Sequence, residues 1–265
     1  MTPIAVTIAG SDSSGGAGIQ ADLKTFSALG VYGASVVTAL TAQSTTGVAA
    51  IHDVPGAFVA AQMDAVFSDL AVGAVKIGML SQTEVIEAVA AGLDRHRQRN
   101  VVLDPVMVAA SGDRLLAPDA VDALRRMLIP RALVLTPNLP EAAALLEEKP
   151  ARDEADMRRQ AERLLALGCR AVLIKGGHAE GAESVDLLVE PATCTRLAAA
   201  RIATRNTHGT GCTLSSAIAA GLAKGRALAD AVRDAKDYVT AAIAAADRLR
   251  IGSGTGPTHH FHGWW

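Results

Sequence analysis

The chain is organised around one stretch, which reads Asn206-Thr207-His208-Gly209-Thr210-Gly211-Cys212-Thr213-Leu214. It follows a β-like segment, Leu197–Ala203, and leads directly into a helix of small residues, Leu214–Lys224. Two glycines let a ligand approach the backbone and let N–H groups point the same way, and the helix start adds unpaired N–H donors. The stretch therefore predicts an anion site with Cys212 as a potential base inside it, which suggests phosphoryl transfer. An ordinary glycine-rich turn before a helix is the alternative.

The length, composition and net charge of the chain limit the classes of protein to which it can belong. Half of the 265 residues are apolar and 3% are aromatic, so we expect a core of Ala, Val, Leu and Ile. A net charge of −2 argues against a nucleic-acid partner. Three cysteines without metal spacing favour a reducing, cytoplasmic location. With no basic leader, no apolar run near ~20 residues and no linker or repeat, we expect one domain, residues 1–265, and no membrane partner.

The hydrophobic pattern alternates between strands and helices. This alternation predicts an α/β fold with a mostly parallel central sheet covered by helices on both faces. The expected strands are Ile4–Ala9, Tyr32–Ala42, Ala74–Ile77, Val101–Leu103, Val134–Leu135 and Ala171–Ile174, with a hairpin of Val185–Val189 and Cys194–Ala199. A short piece, Val48–Val54, is expected to be an edge strand or a flap. The main expected helices, apart from the one at Leu214, are a first one that ends at Leu29, then Phe58–Leu70, Glu84–Arg97, Met157–Leu167 and Ala227–Leu249.

Polar residues follow three of these strands, where ligands of open parallel sheets bind. The carboxylates Asp104 and Glu141 are candidates for holding Mg²⁺, although Glu141 is equally placed to cap the helix that follows Pro140. Lys175 is a candidate for neutralising a phosphate, or else a surface lysine. His178 is expected to be a loop residue and not a catalyst.

Two further segments carry weaker signals. The loop after the first strand, Ser11–Gly18, is rich in glycine, but it lacks the G-x-G-x-x-G and P-loop spacings, so a Rossmann or P-loop assignment is disfavoured. The tail contains His259, His260 and His262, which could suggest a metal site. Because no acidic or cysteine residue lies nearby in sequence, we expect a packed or substrate-covering tail instead.

Taken together, these motifs resemble those of the hydroxymethylpyrimidine/phosphomethylpyrimidine kinase family of thiamine biosynthesis, in the ribokinase-like superfamily. The resemblance spans essentially the whole chain. It is carried by Ile8–Leu29, Thr38–Gly47, Lys76–Leu80, Asp104–Leu116, Thr136–Leu145, Leu173–His178, Asn206–Ser215 and Gly256–Trp265. One departure is Ser13, where relatives commonly carry proline, and it bears on the stiffness of a loop and not on the chemistry.

The resemblance implies a ribokinase-like fold and an ATP-dependent kinase that acts twice. It would phosphorylate 4-amino-5-hydroxymethyl-2-methylpyrimidine and then its monophosphate. The family pattern implies roles for the residues that match it. These roles are an anion hole with its base (Gly209, Thr210, Gly211 and Cys212), the Mg²⁺ site (Asp104 and Glu141), the ATP site (Lys175, Asn138 and Thr207) and the pyrimidine pocket (Asp22, Gln43 and Met79).

The ionisation of Cys212 is left open by the sequence. Its helix start stabilises the thiolate, whereas a bound ATP would push its pKa back up. Either direction leaves a thiol within reach of a substrate hydroxyl a plausible base.

Three other functions compete with this one. A pyridoxal kinase of the same superfamily is the nearest, because its substrate is also a heteroaromatic alcohol with a CH₂OH arm. A Rossmann-type dehydrogenase is disfavoured by the missing glycine spacing. A non-catalytic vitamin-binding protein is disfavoured by the retained Asp104, Glu141, Lys175 and Cys212. Assembly as a homodimer is a further expectation that the resemblance implies.

Overall fold

The computed structural model describes residues 1–107, 118–177 and 181–265. Its strands are β1 (Ile4–Ala9), β2 (Tyr32–Val37), β3 (Ala39–Ser44), β4 (Gly47–Asp53), β5 (Ala74–Ile77), β6 (Val101–Leu103), β7 (Val134–Leu135), β8 (Val172–Lys175), β9 (Glu183–Glu190) and β10 (Thr193–Ala200). Its α-helices are α1 (Gly18–Ala28), α2 (Gly56–Asp69), α3 (Thr83–Arg95), α4 (Pro118–Ala123), α5 (Leu139–Leu146), α6 (Glu154–Leu165), α7 (Thr210–Ala223) and α8 (Leu228–Ala244). Over these described ranges, no helix is both long and apolar enough to cross a membrane.

The main sheet confirms the predicted architecture. Its strand order is β10-β9-β8-β7-β6-β5-β1-β2. Neighbouring strands among β8, β7, β6, β5, β1 and β2 pair in parallel. The β9–β10 hairpin adds an antiparallel edge, as its sequence predicts. The carboxyl ends of the parallel strands therefore lie along one edge of the sheet, where the predicted polar residues follow them.

Helices cover both faces of this sheet, and the strands alternate between two cores. In β6, Val101 and Leu103 belong to the core beneath α2, α3, α5 and α6, whereas Val102 belongs to the core beneath α1, α7 and α8. This alternation follows from the two-residue period of a strand. A strand buried on both faces reads as a continuous apolar run, which is why the short run at 101–103 was sufficient to predict it.

The predicted strand Tyr32–Ala42 is wrong as a single element. The chain leaves the main sheet at Thr38, which separates β2 from β3. Thr38 is fully buried: its N–H donates to the carbonyl of Ala9 at 3.0 Å, and its hydroxyl donates to the carbonyl of Met79 at 2.8 Å. These tertiary contacts replace the glycine or proline that usually marks such a break in sequence.

The segment β3–β4 forms a separate antiparallel ribbon, which we call the flap. The predicted piece Val48–Val54 is therefore a flap strand and not an edge strand of the main sheet. The flap continues directly from the end of β2, so it projects from the same edge as the polar strand ends.

A fully buried ion pair connects two strands of the sheet and α1 to the helix that carries the glycine-rich stretch. Lys76 on β5 donates to Asp22 on α1 at 2.8 Å, and both side chains have zero exposure. The hydroxyls of Thr7 on β1 and Ser216 on α7 each donate to the same carboxylate at 2.6 Å. Burial lowers the pKa of Lys76, but the Asp22 carboxylate together with further groups that include Asp104 outweighs it, so the pKa is raised and the ammonium stays charged.

Removing one partner of this pair should be strongly destabilising. Lys76→Met leaves the Asp22 carboxylate buried without its cation, so we expect the free energy of unfolding to fall by about 3–5 kcal/mol. Urea unfolding followed by circular dichroism measures this change. Arg233→Ala, which breaks an exposed pair with Asp230, is the matched control and should have a far smaller effect. Equal effects of the two substitutions would show that the buried pair contributes no special stability.

Candidate active site

The glycine-rich stretch forms the start of α7, as the sequence predicts. Gly209 is the residue before the helix and has a φ of 79°, in the left-handed region that favours glycine. A Cβ at Gly209 would lie 1.8 Å from the carbonyl oxygen of Gly16, so a side chain cannot fit there. The helix begins at Thr210, four residues earlier than predicted, which places Gly211 and Cys212 in its first turn. Their N–H groups have no carbonyl one turn earlier within the helix, so they remain free to bind an anion.

One carboxylate joins this anion loop to the glycine-rich loop after β1. Oδ2 of Asp12 lies 2.7 Å from Nε2 of His208 and accepts from the backbone N–H groups of Gly16 and Ala17. Burial raises the pKa of Asp12, but the hydrogen bonds from His208, Ser14 and the backbone outweigh it and hold the pKa well below its usual value. Sequence reasoning did not identify this pair, since its members are 196 residues apart.

Cys212 is a neutral thiol in this structure. Burial raises its pKa to about 11, although the positive charge of Lys76 acts in the opposite direction. The helix start, which by itself would stabilise the thiolate, is outweighed by the loss of solvent around the sulfur. Among the protein's own groups, the direction of the shift is therefore towards the protonated form, and the further effect of a bound ATP stays a prediction.

Lys175 and Asp104 lie beside the anion loop. Lys175 Nζ donates to Oδ1 of Asp104 at 2.8 Å, and the hydroxyl of Thr136 donates to the same oxygen at 3.0 Å. A Cβ at Gly211 would lie 3.3 Å from Lys175 Nζ and 3.6 Å from Oδ2 of Asp104. The alternative of a surface lysine is wrong, because the Lys175 side chain is only 12% exposed. Burial raises the pKa of Asp104, but Lys175 and Lys76 outweigh it and keep the carboxylate charged.

Glu141 forms a capping box with Asn138 at the start of α5. The Asn138 N–H donates to Oε2 of Glu141, and the Glu141 N–H donates to Oδ1 of Asn138, both at 2.8 Å. Within the protein itself, Glu141 caps α5, which is the alternative that the sequence left open. Burial, together with the nearby Asp104, raises the pKa of Glu141 to about 7 against the pull of Lys175. Capping occupies one oxygen of Glu141, so a role at a metal ion stays a prediction.

Across the described ranges, no group of three or more His, Cys, Asp or Glu side chains is arranged to hold a metal ion. Mg²⁺ does not require such a cage, because it is usually bound through one or two carboxylates together with substrate phosphates and water. Asp104, buried and charged beside the anion loop, fits that pattern. The donor set of this chain is therefore compatible with Mg²⁺ brought in by a nucleotide.

The three residues expected to contact a pyrimidine lie at different depths. Met79 is nearly buried, and its sulfur would lie 3.2 Å from a Cβ at Gly10. Gln43 lies half-buried on the flap, with the Thr41 hydroxyl 3.2 Å from its Oε1. Asp22 lies beneath, and its oxygens already accept from the buried network described above. Direct contact of Asp22 with a ligand stays a prediction, whereas its contact with Lys76 is seen.

The remaining candidates are placed as follows. Thr207 is exposed at the rim of the anion loop, and its carbonyl accepts from the hydroxyl of Thr210 at 2.7 Å. The tail packs as expected: His259 and His260 are buried, and Nε2 of His260 lies 3.1 Å from the hydroxyl of Thr213. His178 lies outside the described residues, as do residues 108–116 of the stretch Asp104–Leu116.

Comparison with known proteins shows the family of the chain. The model of the phosphomethylpyrimidine kinase family matches residues 12–259. A hydroxymethylpyrimidine/phosphomethylpyrimidine kinase of Rhizobium meliloti is 65% identical over 265 residues, covering 100% of this chain and 99% of the relative.

Two solved structures share the fold. A phosphomethylpyrimidine kinase from Clostridium difficile has a TM-score of 0.80 and 47% identity, over 91% of this chain and 99% of that one. A pyridoxal kinase of Bacillus subtilis in complex with ADP has a TM-score of 0.91 and 38% identity, over 98% of each chain. The chain belongs to the phosphomethylpyrimidine kinase family, within the ribokinase-like fold.

Proposed function

We propose that this protein uses ATP to phosphorylate 4-amino-5-hydroxymethyl-2-methylpyrimidine, and then phosphorylates the monophosphate to the diphosphate, in thiamine biosynthesis. The observation that carries the proposal is the meeting of three features at Gly211: the free N–H groups of the anion loop, the Lys175–Asp104 pair and the thiol of Cys212. Phosphoryl transfer needs such an arrangement, since it depends on positioning and charge neutralisation more than on covalent chemistry.

In the first transfer, Cys212 acts on the substrate hydroxyl. Cys212 first gives its proton to solvent, because only the thiolate can act as a base. The hydroxyl proton then passes to the thiolate sulfur as the hydroxyl oxygen forms a bond to the γ-phosphorus, and the bond from that phosphorus to the ADP oxygen breaks. The N–H groups of Gly211 and Cys212 stabilise the charge on the transferring phosphoryl group. Lys175 neutralises the nucleotide phosphates, and Asp104 holds its ammonium in place. The transfer returns Cys212 to its protonated form, which is the form that its raised pKa favours.

ATP supplies the phosphoryl group, and Mg²⁺ supplies positive charge across its phosphates. Asp104 and Glu141 are the residues proposed to hold the metal, and Asn138 and Thr207 are proposed to contact the nucleotide. Glu141 accepts from the backbone of Asn138 and of Met107, and a carboxylate has about four acceptor positions, so acceptor capacity remains for a water-mediated contact.

The two transfers place different demands on the base. The acceptor in the second transfer is a phosphate monoester, whose second pKa is about 6. Its oxygen is therefore already deprotonated at neutral pH and needs no general base. Cys212 should matter for the first transfer and much less for the second.

The proposed function is tested by incubating the protein with ATP, Mg²⁺ and the hydroxymethylpyrimidine and measuring mono- and diphosphate by mass spectrometry. We expect both products in order. A parallel reaction with pyridoxal tests the related activity named for the Bacillus subtilis structure. Faster turnover of pyridoxal than of the pyrimidine, or no phosphorylation of either, would contradict the proposal.

Removal of the Cys212 thiol should affect the two transfers unequally. We expect Cys212→Ala to lower kcat of the first transfer by roughly 100-fold, the lower end of the contribution of a positioned base. Starting from the monophosphate, the same variant should lose far less. Cys212→Asp should recover part of the first rate, because a carboxylate can accept the same proton.

The control is Cys194→Ala, which removes an exposed thiol on β10 and should leave both rates unchanged. An active Cys212→Ala variant together with an inactive Cys212→Asp variant would mean that residue 212 merely fills space at the helix start. ATP binding, measured by calorimetry, should survive in Cys212→Ala because the backbone N–H groups remain.

Substitution of Glu141 tests the metal site. Glu141→Gln retains the ability to cap α5, since glutamine also serves at this position of a capping box. We therefore expect an unchanged unfolding midpoint, a higher Mg²⁺ concentration for half-maximal rate and a lower kcat. Glu147→Gln, at the exposed end of the same helix, is the control. A magnesium titration that does not change would remove Glu141 from the site.

Three broader expectations belong to the same proposal. The chain is proposed to act as one kinase domain, to form a homodimer and to work in the cytoplasm. Their support is the family membership shown above and the reduced state of the cysteines in the described chain.

A further inference from the structure

A row of contacts joins the loop after β1 to the first flap strand. The N–H of Ser11 donates to the carbonyl of Ala39 at 2.9 Å, and the N–H of Thr41 donates to the Ser11 hydroxyl at 3.1 Å. The N–H of Gln43 then donates to the Ser13 hydroxyl at 2.8 Å. The loop thus pairs with alternate residues of β3, and two serine hydroxyls take the place of backbone carbonyls.

The Ser13 contact falls where the flap is irregular. The register between β3 and β4 shifts between Ala42 and Gln43, so the regular ladder of the flap is interrupted there. Besides accepting from the Gln43 N–H, the Ser13 oxygen lies 2.9 Å from the carbonyl of Thr41 and 3.0 Å from that of Gln43. A hydroxyl has one proton and two lone pairs, so it can accept from Gln43 and donate to one of these two carbonyls. One side chain therefore fixes the backbone on both sides of the bulge.

The side chain of Gln43 depends on the same backbone. Its Oε1 lies 3.2 Å from the Thr41 hydroxyl, which also donates to the carbonyl of Ser11 at 2.8 Å. A flap strand that shifted at the bulge would move both ends of this contact. The position of the Gln43 side chain thus depends on the loop through Ser11 and Ser13.

We propose that Ser13 is a positioning residue for recognition of the pyrimidine: its hydroxyl locks the bulge at Gln43, so that the Gln43 amide is presented to the aminopyrimidine edge of the substrate. This inference rests on the proposed function. A proline at position 13 has no hydroxyl to offer, so the contact is particular to chains that carry serine or threonine there.

The inference is tested with the full-length protein by measuring KM for the hydroxymethylpyrimidine and for ATP. Ser13→Ala should raise the pyrimidine KM by about five- to tenfold, the cost of one hydrogen bond, and leave the ATP KM within about twofold. Ser13→Thr keeps the hydroxyl and should retain the wild-type KM. Ser44→Ala is the matched control, since its hydroxyl contacts only the flap turn at Thr46 among the described contacts.

A double-mutant cycle shows whether Ser13 acts through Gln43. Gln43→Ala alone should raise the pyrimidine KM by at least tenfold, and adding Ser13→Ala should then change it by less than about twofold. Effects that multiply, an equal rise in the ATP KM or a matching effect of Ser44→Ala would each overturn the inference. A Ser13→Thr variant as impaired as Ser13→Ala would also overturn it.

The wild-type assay separates this inference from the function on which it rests. If the wild-type protein does not phosphorylate the pyrimidine, the proposed function fails and the inference fails with it. If the wild-type protein is active and Ser13→Ala keeps the wild-type KM, only the inference fails. Unfolding midpoints of all variants confirm that the KM values are those of folded protein. Where Ser13→Ala is unstable, Ser13→Thr still tests the inference, because a raised pyrimidine KM in that folded variant would overturn it.

Discussion

The buried ion pair of Lys76 and Asp22 is the constraint on which the position of the site depends. Neither charge has solvent to stabilise it, so each requires the other, and the carboxylate also accepts from Thr7 and Ser216. Ser216 lies four residues after Cys212, one turn further along the same face of α7. The pair therefore fixes the first turn of α7 against β1, α1 and β5, and with it the direction in which the anion loop points.

Burial raises the pKa of both acidic groups around this turn, and the charges nearest to each group decide the outcome. Asp104 is paired directly with Lys175 and remains charged. Cys212 forms no ion pair among the described residues. The charge of Lys76 and a backbone hydrogen bond from Gly18 lower its pKa, but burial prevails and the thiol stays protonated. The same low dielectric that makes an unpaired charge costly thus separates a carboxylate that stays charged from a thiol that keeps its proton at neutral pH.

Much of the fold could be predicted, because a strand that is buried on both faces appears in the sequence as a continuous apolar run. The runs at 74–77 and 101–103 match β5 and β6 without adjustment. The break at Thr38 was missed since it depends on contacts with Ala9 and Met79, which no local pattern encodes. In the site, the strand-end residues Asp104 and Lys175 were found from their position alone. The Asp12–His208 contact was not, because it joins residues from opposite ends of the chain.

The C-terminal segment packs behind the anion loop. This packing explains why His259 and His260 are buried. The N–H of His208 donates to the carbonyl of Gly256 at 3.0 Å, and His260 contacts Thr213 in the first turn of α7. The hydroxyl of Tyr238 on α8 in turn donates to the carbonyl of His260 at 2.5 Å. The ring of His208 therefore contacts Asp12, and its backbone N–H donates to the tail. The glycines of the anion loop remove the side chains that would obstruct a phosphate, and these contacts restore the rigidity that the glycines alone would lose.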